Sequence, residues 1–495
     1  MLPKKKNQRL AVPEELSDIK RSDLGTEFAR LQRELAETDR SMLVIVDGWE
    51  SSGKGFLLKD LTRELDPKLY EVEVFEEGND EETQHHYLYR FFKKSPQKGH
   101  IAFFDRSFYY DLFSDFEFEE EKLAHYTEDI AFVEEALLND DTLIIKFFLH
   151  QTESEMRNRM EELEVHEHKR VLLSDRDYKQ LNHYDEFYTH FQEVLEESNF
   201  ERSPWTILYY EGAKDTSRFA LQECIDRLRE FLGEDLERPE PVLESQLDDS
   251  DFHLDQFDLE GSISDEEYDE ILNDLQERAG DLLYQCYLED KQIVIMYEGT
   301  DAAGKGGNIR RLTRQMDPRG YDVATVSAPT KHELNHHHLW RFNEELPVKG
   351  RMTIFDRSWY GRVLVERVED LTPAYRWKEA YSEINQMEHN LAHQDILVLK
   401  YLLIIDPEEQ LTRFEARADD PDKEHKLTDE DWRNHQKFDD YQEAMTDMLH
   451  YTSTEETPWT VVSGMSKKYA RIKVLKNFIA RTETYLDEIQ DFEKK

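Results

Sequence analysis

In the second half of the chain, short apolar runs rich in β-branched residues alternate with segments whose apolar positions recur at helical spacing. The order predicts a strand over KQIVIMYEG, a helix over GNIRRLTRQM, a strand over DVATVSA, a helix over ELNHHHLWRFNEEL and a strand over GRMTIFDRS. Helices follow from about Tyr381, then a strand over ILVLKYLLII, a charged helical region, a strand over PWTVVSG and a final helix. Apolar strands between amphipathic helices imply a parallel sheet covered on both faces, with right-handed crossovers. Ligands of such doubly wound sheets sit at the carboxyl ends of the strands.

The pattern is written twice. VIVDGWESSGKGF near the start matches IMYEGTDAAGKGG, pairing Gly48 with Gly299 and Lys54 with Lys305. FFDRSFYY matches IFDRSWYG at the same interval, pairing Asp105 with Asp356. Lys146 pairs with Lys400, and Trp205 with Trp459, at an interval three residues longer. That difference is expected in a surface loop between Asp105 and Lys146 or their counterparts. The fold expected is therefore α/β, with two tandem P-loop kinase-like domains, each a parallel sheet flanked by helices with a helical lid. The copies would span 1–235 and 266–495, joined by an acidic, solvated linker over 236–265 that carries two prolines.

Composition narrows the picture. A net charge of −47 argues against nucleic acid and anionic membranes as partners, so a polyanionic substrate would need a local basic island. Two cysteines, Cys224 and Cys286, supply no disulfide framework and suit a reducing, cytoplasmic setting. The basic start, MLPKKKNQRL, is not followed by the apolar core of a secretory signal, and no apolar run approaches the roughly 20 residues that span a bilayer.

The chemistry gathers in EGTDAAGKGG, which reads as a phosphate-binding loop between strand and helix. Its Gly299, Ala302, Ala303, Gly304, Gly306 and Gly307 would bring backbone N–H groups to phosphate, and Lys305 would neutralise charge. Two features are unusual: Gly306 replaces the Ser or Thr that ordinarily follows the lysine, and Asp301 places a carboxylate inside an anion cradle. Asp356, ending an apolar strand about fifty residues on, resolves the second point. Asp301 and Asp356 would share one divalent cation, Mg2+ or Mn2+, which takes one or two carboxylates plus phosphate oxygens and offsets the repulsion. Arg310, Arg311, Arg314, Arg319, Arg357 and Arg362 form a second tier of cations. In EEQLTRFEARADDPDKEHKLTDEDW, Arg413 and Arg417 share a helical face and are followed by Lys423 and Lys426, a segment suited to a lid over phosphates. HELNH, His332 to His336, matches the H-E-x-x-H zinc pattern, but no clear third ligand follows and the first copy reads EETQH.

Taken together, GTDAAGKGG, FDRSWYGRVLVERVE, EEQLTRFEAR and TSTEETPW resemble the polyphosphate kinase type 2 family over both copies. The resemblance implies Asp301, Lys305, Asp356, Arg357, Arg362 and Glu366 as active-site residues, with Arg413, Arg417, Lys423 and Lys426 in the lid. It also implies inorganic polyphosphate and AMP or ADP as partners, and a two-copy form that moves a terminal phosphate from polyphosphate to AMP. The alternatives weighed are an ATP-dependent nucleoside monophosphate kinase, a polyphosphate kinase acting on nucleoside diphosphates, and a non-catalytic sensor. In the first copy Asp301 becomes Glu50, Gly307 becomes Phe56, Arg362 becomes Asp111, Glu366 becomes Asp115, Arg417 becomes Leu163 and Lys426 becomes Leu172. That copy is expected to be catalytically silent. Two fused copies are also the covalent counterpart of a two-fold dimer, with homo-oligomerisation left open.

Overall fold

The computed structural model describes residues 1–3, 13–117, 120–165, 168, 170, 173–209, 212–233, 241–247, 252–420 and 429–492. They form two compact units: Met1–Asp80 with Leu88–Glu237 and Thr330–Trp340, and Glu81–Tyr87 with Arg238–Pro329 and Arg341–Lys495.

The first unit holds strands β1 (Ser41–Gly48), β2 (Tyr70–Val74), β3 (Ile101–Asp105), β4 (Thr142–Leu149) and β5 (Trp205–Leu208), in the order β2-β3-β1-β4-β5. The second holds β6 (Gln292–Gly299), β7 (Tyr321–Thr325), β8 (Met352–Asp356), β9 (Ile396–Ile404) and β10 (Trp459–Ser463), in the order β10-β9-β6-β8-β7. Every pairing described is parallel. The central strands β1, β4 and β9 are buried at every residue, whereas the edge strands β2 and β7 each leave three of five residues exposed. Continuous burial explains why the central strands read as unbroken apolar runs.

In each sheet the chain runs out to one side of the first strand and then crosses to the other, so the switch point lies at the carboxyl end of β1 or β6. The loop Thr300–Gly304 leaves β6 there and leads into the helix Lys305–Leu312. Gly299 has φ 129°, and a Cβ on it would lie 1.8 Å from the Leu403 carbonyl oxygen, so the exit from the strand admits only glycine.

One lysine within each sheet has a structural role. Lys400 on β9 is fully buried and donates to Glu388 at 2.7 Å, the Tyr360 hydroxyl at 3.1 Å and the Thr452 carbonyl at 2.6 Å. Lys146 repeats the set with Glu134 at 2.9 Å, Tyr109 at 3.0 Å and the Ser198 carbonyl at 2.9 Å. Burial pulls both ammonium groups below their ordinary pKa, and the paired carboxylate opposes it. Three acceptors at each site satisfy the donors that burial would otherwise strand.

Two expectations need correction. The helix over ELNHHHLWRFNEEL is instead a 3-10 turn, Glu333–Asn335, and a short helix, Trp340–Asn343, because the backbone is extended at His336. The helix placed from about Tyr381 starts at Ala374, seven residues earlier, where Pro373 with φ −59° leads into the first turn. The three extra residues of the second copy lie between Tyr360 and Ala374, where Asp370 and Leu371 are exposed just before the helix, within the stretch expected to hold a surface loop. The equivalent tyrosine and helix start of the first copy are Tyr109 and Glu120.

The described part of the linker is extended, with one 3-10 turn, Leu254–Gln256, and it lies on the second unit. The backbone N–H of Gln246 donates to the His450 carbonyl, that of Leu254 to Thr446, and Ser463 to the Leu259 carbonyl. Among the described residues no helix is long and apolar enough to cross a membrane.

Candidate active site

Asp301, Lys305 and Arg357 converge at the carboxyl end of β6. They line one cavity together with Glu298, Asn434 and an apolar wall that includes Leu364 and Phe438. Arg357 follows the last residue of β8 and adopts φ 66°, which turns its guanidinium back toward the loop. Its Nη2 lies 3.3 Å from Asp301 Oδ1. Asn434, from the helix Asp429–Gln436, donates to Asp301 Oδ2 at 2.8 Å, and Gln410 donates to the Asp301 carbonyl at 3.2 Å. The Lys305 ammonium folds back onto the Gly299 carbonyl at 2.6 Å, and among the described residues it forms no close ion pair with a carboxylate.

Glu298 is a site residue that the motif reading missed. Its buried carboxylate accepts from the Ser358 N–H at 2.7 Å and from the Ser358 hydroxyl at 2.9 Å, tying the loop to the turn after β8. Burial raises its pKa, opposed by Lys305 and the Ser358 hydrogen bonds. The first copy repeats this tie as Ser107 to Asp47 at 2.6 Å, with Asp47 pushed up to about 6 by burial, so the tie belongs to the fold and not to catalysis.

Asp356 ends β8 in register with Tyr297 of β6, and it is half-buried. Among the described residues its carboxylate has no hydrogen-bond or ion-pair partner, unlike that of Asp301. Hard oxygen donors on the loop after β6 and at the end of the adjacent β8, one of them unengaged, fit a small divalent cation.

The other expected residues are placed differently. Arg362 and Glu366 pair with one another at 2.5 Å beside Gly361 and Val365, which line the cavity; Arg362 also donates to Thr372. Arg413 is buried, not on an open lid. Its guanidinium donates to the carbonyls of Ala302 at 2.8 Å, Gly464 at 2.8 Å and Met465 at 3.1 Å, and its Nε to Glu409 at 2.6 Å. Packing of the helix Pro407–Ala418 against the loop recruits one arginine of the pair as a latch, while Arg417 stays half-exposed. Lys423 and Lys426 lie outside the described residues. Arg310, Arg314 and Arg319 are exposed, Arg319 pairing with Asp317. His336 stacks on Trp340 with ring centroids 4.2 Å apart, so HELNH forms neither the helix nor the ligand pair of a zinc protease.

The first copy has the same loop in a closed state. Glu50, one methylene longer than Asp301, reaches both Arg106 at 3.0 Å and Lys54 at 3.6 Å. Burial alone would raise its pKa, but Lys54 and Arg106 hold it at about 2. Trp49 stands in the place of Thr300, fully buried, and its indole stacks on Tyr184, the counterpart of Phe438. The indole thus fills the place that remains open in the second copy.

The profile described as Polyphosphate kinase 2 matches residues 14–234 and 262–490. The chain belongs to the polyphosphate kinase 2 family. Among curated relatives in this family, the polyphosphate:AMP phosphotransferase of Pseudomonas aeruginosa is 36% identical over 464 residues, 92% of this chain and 93% of its own. The protein of the same name from Pseudomonas syringae is 35% identical over 450 residues, covering 89% and 90%. The one from Acinetobacter johnsonii is 31% identical, covering 94% and 95%. A crystal structure of a polyphosphate kinase 2 from Pseudomonas aeruginosa superposes with a TM-score of 0.82 at 31% identity, covering 97% of this chain and 98% of the other. The similarity thus runs over about nine-tenths or more of this chain and of each of these relatives.

Proposed function

We propose that this protein transfers the terminal phosphoryl group of inorganic polyphosphate to AMP, giving ADP and a polyphosphate one unit shorter, and that the second copy carries the reaction. The observation that carries this reading is the convergence of Asp301, Lys305 and Arg357 at the end of β6, with Lys305 in no close ion pair among the described residues. The names of the relatives that match nearly the whole chain support the same substrates.

An oxygen of the AMP phosphate attacks the terminal phosphorus in line, the bond to the bridging oxygen breaks, and the electron pair leaves with the shortened chain. The loop N–H groups and Lys305, swung from the Gly299 carbonyl, hold the transferred group and the charge that develops on its oxygens. Arg357 exchanges its contact with Asp301 for phosphate oxygen. Asp301 and Asp356 would hold Mg2+ or Mn2+, which when bound neutralises phosphate charge. The latch of Arg413 on the Ala302 carbonyl keeps the loop shaped for an anion before one arrives.

The first copy is read as silent. Its Lys54 and Arg106 are neutralised by Glu50, and Trp49 occupies the space an acceptor would need. The test is ADP formation from AMP and Mg2+ with polyphosphate or ATP as donor. Product from ATP alone would reject this reading in favour of a nucleoside monophosphate kinase. No product with either donor would favour a sensor.

A further inference from the structure

The two copies act as an internal control on what the fold itself requires. In each, the end of one long helix meets the segment that leads into the last strand of the sheet, and three side chains come together there. In the first copy they are Glu135 and Asn139, one turn apart on the helix Glu120–Asn139, and Arg202 before β5. Arg202 pairs with Glu135 and donates to Asn139 Oδ1 at 2.8 Å. That is a surface ion pair, one carboxylate against one permanent cation. At the interval that pairs Trp205 with Trp459, the counterparts in the second copy are His389, His393 and Glu456. The permanent cation is gone, the helix carries two imidazoles, and the carboxylate has moved to the segment before β10.

His389 and His393 are four residues apart on the helix Ala374–His393, so both rings stand on one face, with their centroids 3.8 Å apart. A ring nitrogen of one lies within 4.8 Å of a ring nitrogen of the other. Both address the same carboxylate: His389 Nδ1 is 2.7 Å from Glu456 Oε2, and His393 Nε2 is 3.6 Å from Glu456 Oε1. Among the described residues no lysine or arginine reaches that carboxylate; Arg481 donates instead to the Glu456 backbone carbonyl, at 3.5 Å. The side chains are 27%, 30% and 45% exposed, so an ion could reach them from solvent and keep water as a further ligand. None of the three lines the cavity that holds Asp301.

We infer that His389, His393 and Glu456 form a site for one transition-metal ion of the Zn2+ class, separate from the carboxylate pair Asp301 and Asp356. Two imidazole nitrogens and a carboxylate oxygen supply three ligands of a tetrahedral ion and leave the fourth position to water. Nitrogen donors favour Zn2+ over Mg2+, whereas the oxygen-only pair at the phosphate loop favours the reverse. The role of the ion is structural. The residues next to these ligands already join the same helix to the same segment inside the unit: Thr457 donates to Glu388 at 3.1 Å, and Glu388 also accepts from Trp359 and Tyr360, just beyond Asp356. A bound ion adds a second, outer link between helix and segment. Its binding does not depend on which compound donates the phosphoryl group.

The test uses the full chain, without a histidine tag and stripped by chelator, titrated with Zn2+ by calorimetry and with Co2+ by visible absorption. The expected result is one saturable equivalent, Co2+ bands of a tetrahedral ion that Zn2+ displaces, and an unfolding temperature several degrees higher with Zn2+ than without. Combining His389→Glu, His393→Asn and Glu456→Arg installs the trio that the same fold carries in the first copy. That variant should keep the circular dichroism of the wild type and lose about 100-fold or more in Zn2+ affinity. His393→Ala alone should lose about tenfold or more, and it serves if the triple exchange does not fold. Equal binding by wild type and variants would put the ion elsewhere, such as on His332, His336, His337 or His338, and would overturn the site. So would the absence of saturable binding to the stripped wild type, which would leave a hydrogen-bonded cluster only.

Discussion

The indole of Trp49 stacks on the ring of Tyr184, centroids 4.4 Å apart and planes within 12°, and its N–H donates to His150 Nδ1 at 3.1 Å. In the second copy the matching positions are Thr300 and Phe438, and the space between them stays open. One side chain thus separates a filled pocket from an open one. Thr300→Trp should close the second pocket and lower kcat/KM for AMP by at least about 100-fold with unfolding little altered, because the first copy accommodates tryptophan at the same point. Trp49→Thr should cost about 3 kcal/mol by leaving a cavity, and should leave turnover intact. Steady-state kinetics and urea unfolding of both variants check the pair.

Loss of the carboxylate at Asp301 should be far more damaging than loss of the one at Glu50. Asp301→Asn removes a ligand for the cation and should lower kcat by about 10³-fold or more. Glu50→Gln only releases Lys54 and Arg106 in a pocket that Trp49 still fills. Comparable losses from the two changes would show that the first copy takes part in the reaction.

Chelation should stop turnover, and added Mg2+ or Mn2+ should restore it. Asp356→Asn should raise the metal concentration needed for half-maximal rate, since this carboxylate has no other described partner. A metal titration of the variant against the wild type, at saturating AMP and polyphosphate, gives the comparison.

The buried lysines should be intolerant of single changes. Lys400→Met leaves Glu388 buried without its cation and should destabilise the second unit by about 3 to 5 kcal/mol. Changing Glu388 to Gln as well should recover part of that loss, because no unpaired charge is then left inside and the amide oxygen still accepts from Trp359 and Tyr360. Chemical unfolding of the single and double variants measures the difference.

His150 gives the first unit a pH dependence of defined sign. Burial depresses its pKa to about 4 from 6.5, with Glu155 opposing, and its Nδ1 must be unprotonated to accept from Trp49. The unfolded chain therefore binds a proton between pH 6.5 and 4 that the folded unit does not. Stability should be full above pH 6.5 and fall by about 3 kcal/mol as the pH drops to 4. His150→Gln should flatten that slope, as read by thermal unfolding across the window.

The phosphate loop, the strand-ending Asp356 and the duplication could be read from the residues because each is a local pattern. Glycine spacing, a run of apolar residues and a repeated string need no knowledge of what lies across the fold. Asn434 carried no such signal: it is more than a hundred residues from Asp301 and reaches it only because the helix Asp429–Gln436 returns over the loop. Glu50 was legible as a substitution, but its grip on Lys54 and Arg106 was not.

By itself the sequence determined which segments become buried parallel strands and where phosphate chemistry can sit, because periodicity and backbone freedom act between near neighbours in the chain. Only the tertiary structure decided that Arg413 serves as an internal latch and that Trp49 fills one pocket while Thr300 leaves its twin open. Those outcomes depend on distances between elements far apart in sequence, and side-chain reach and burial at such contacts are set by packing.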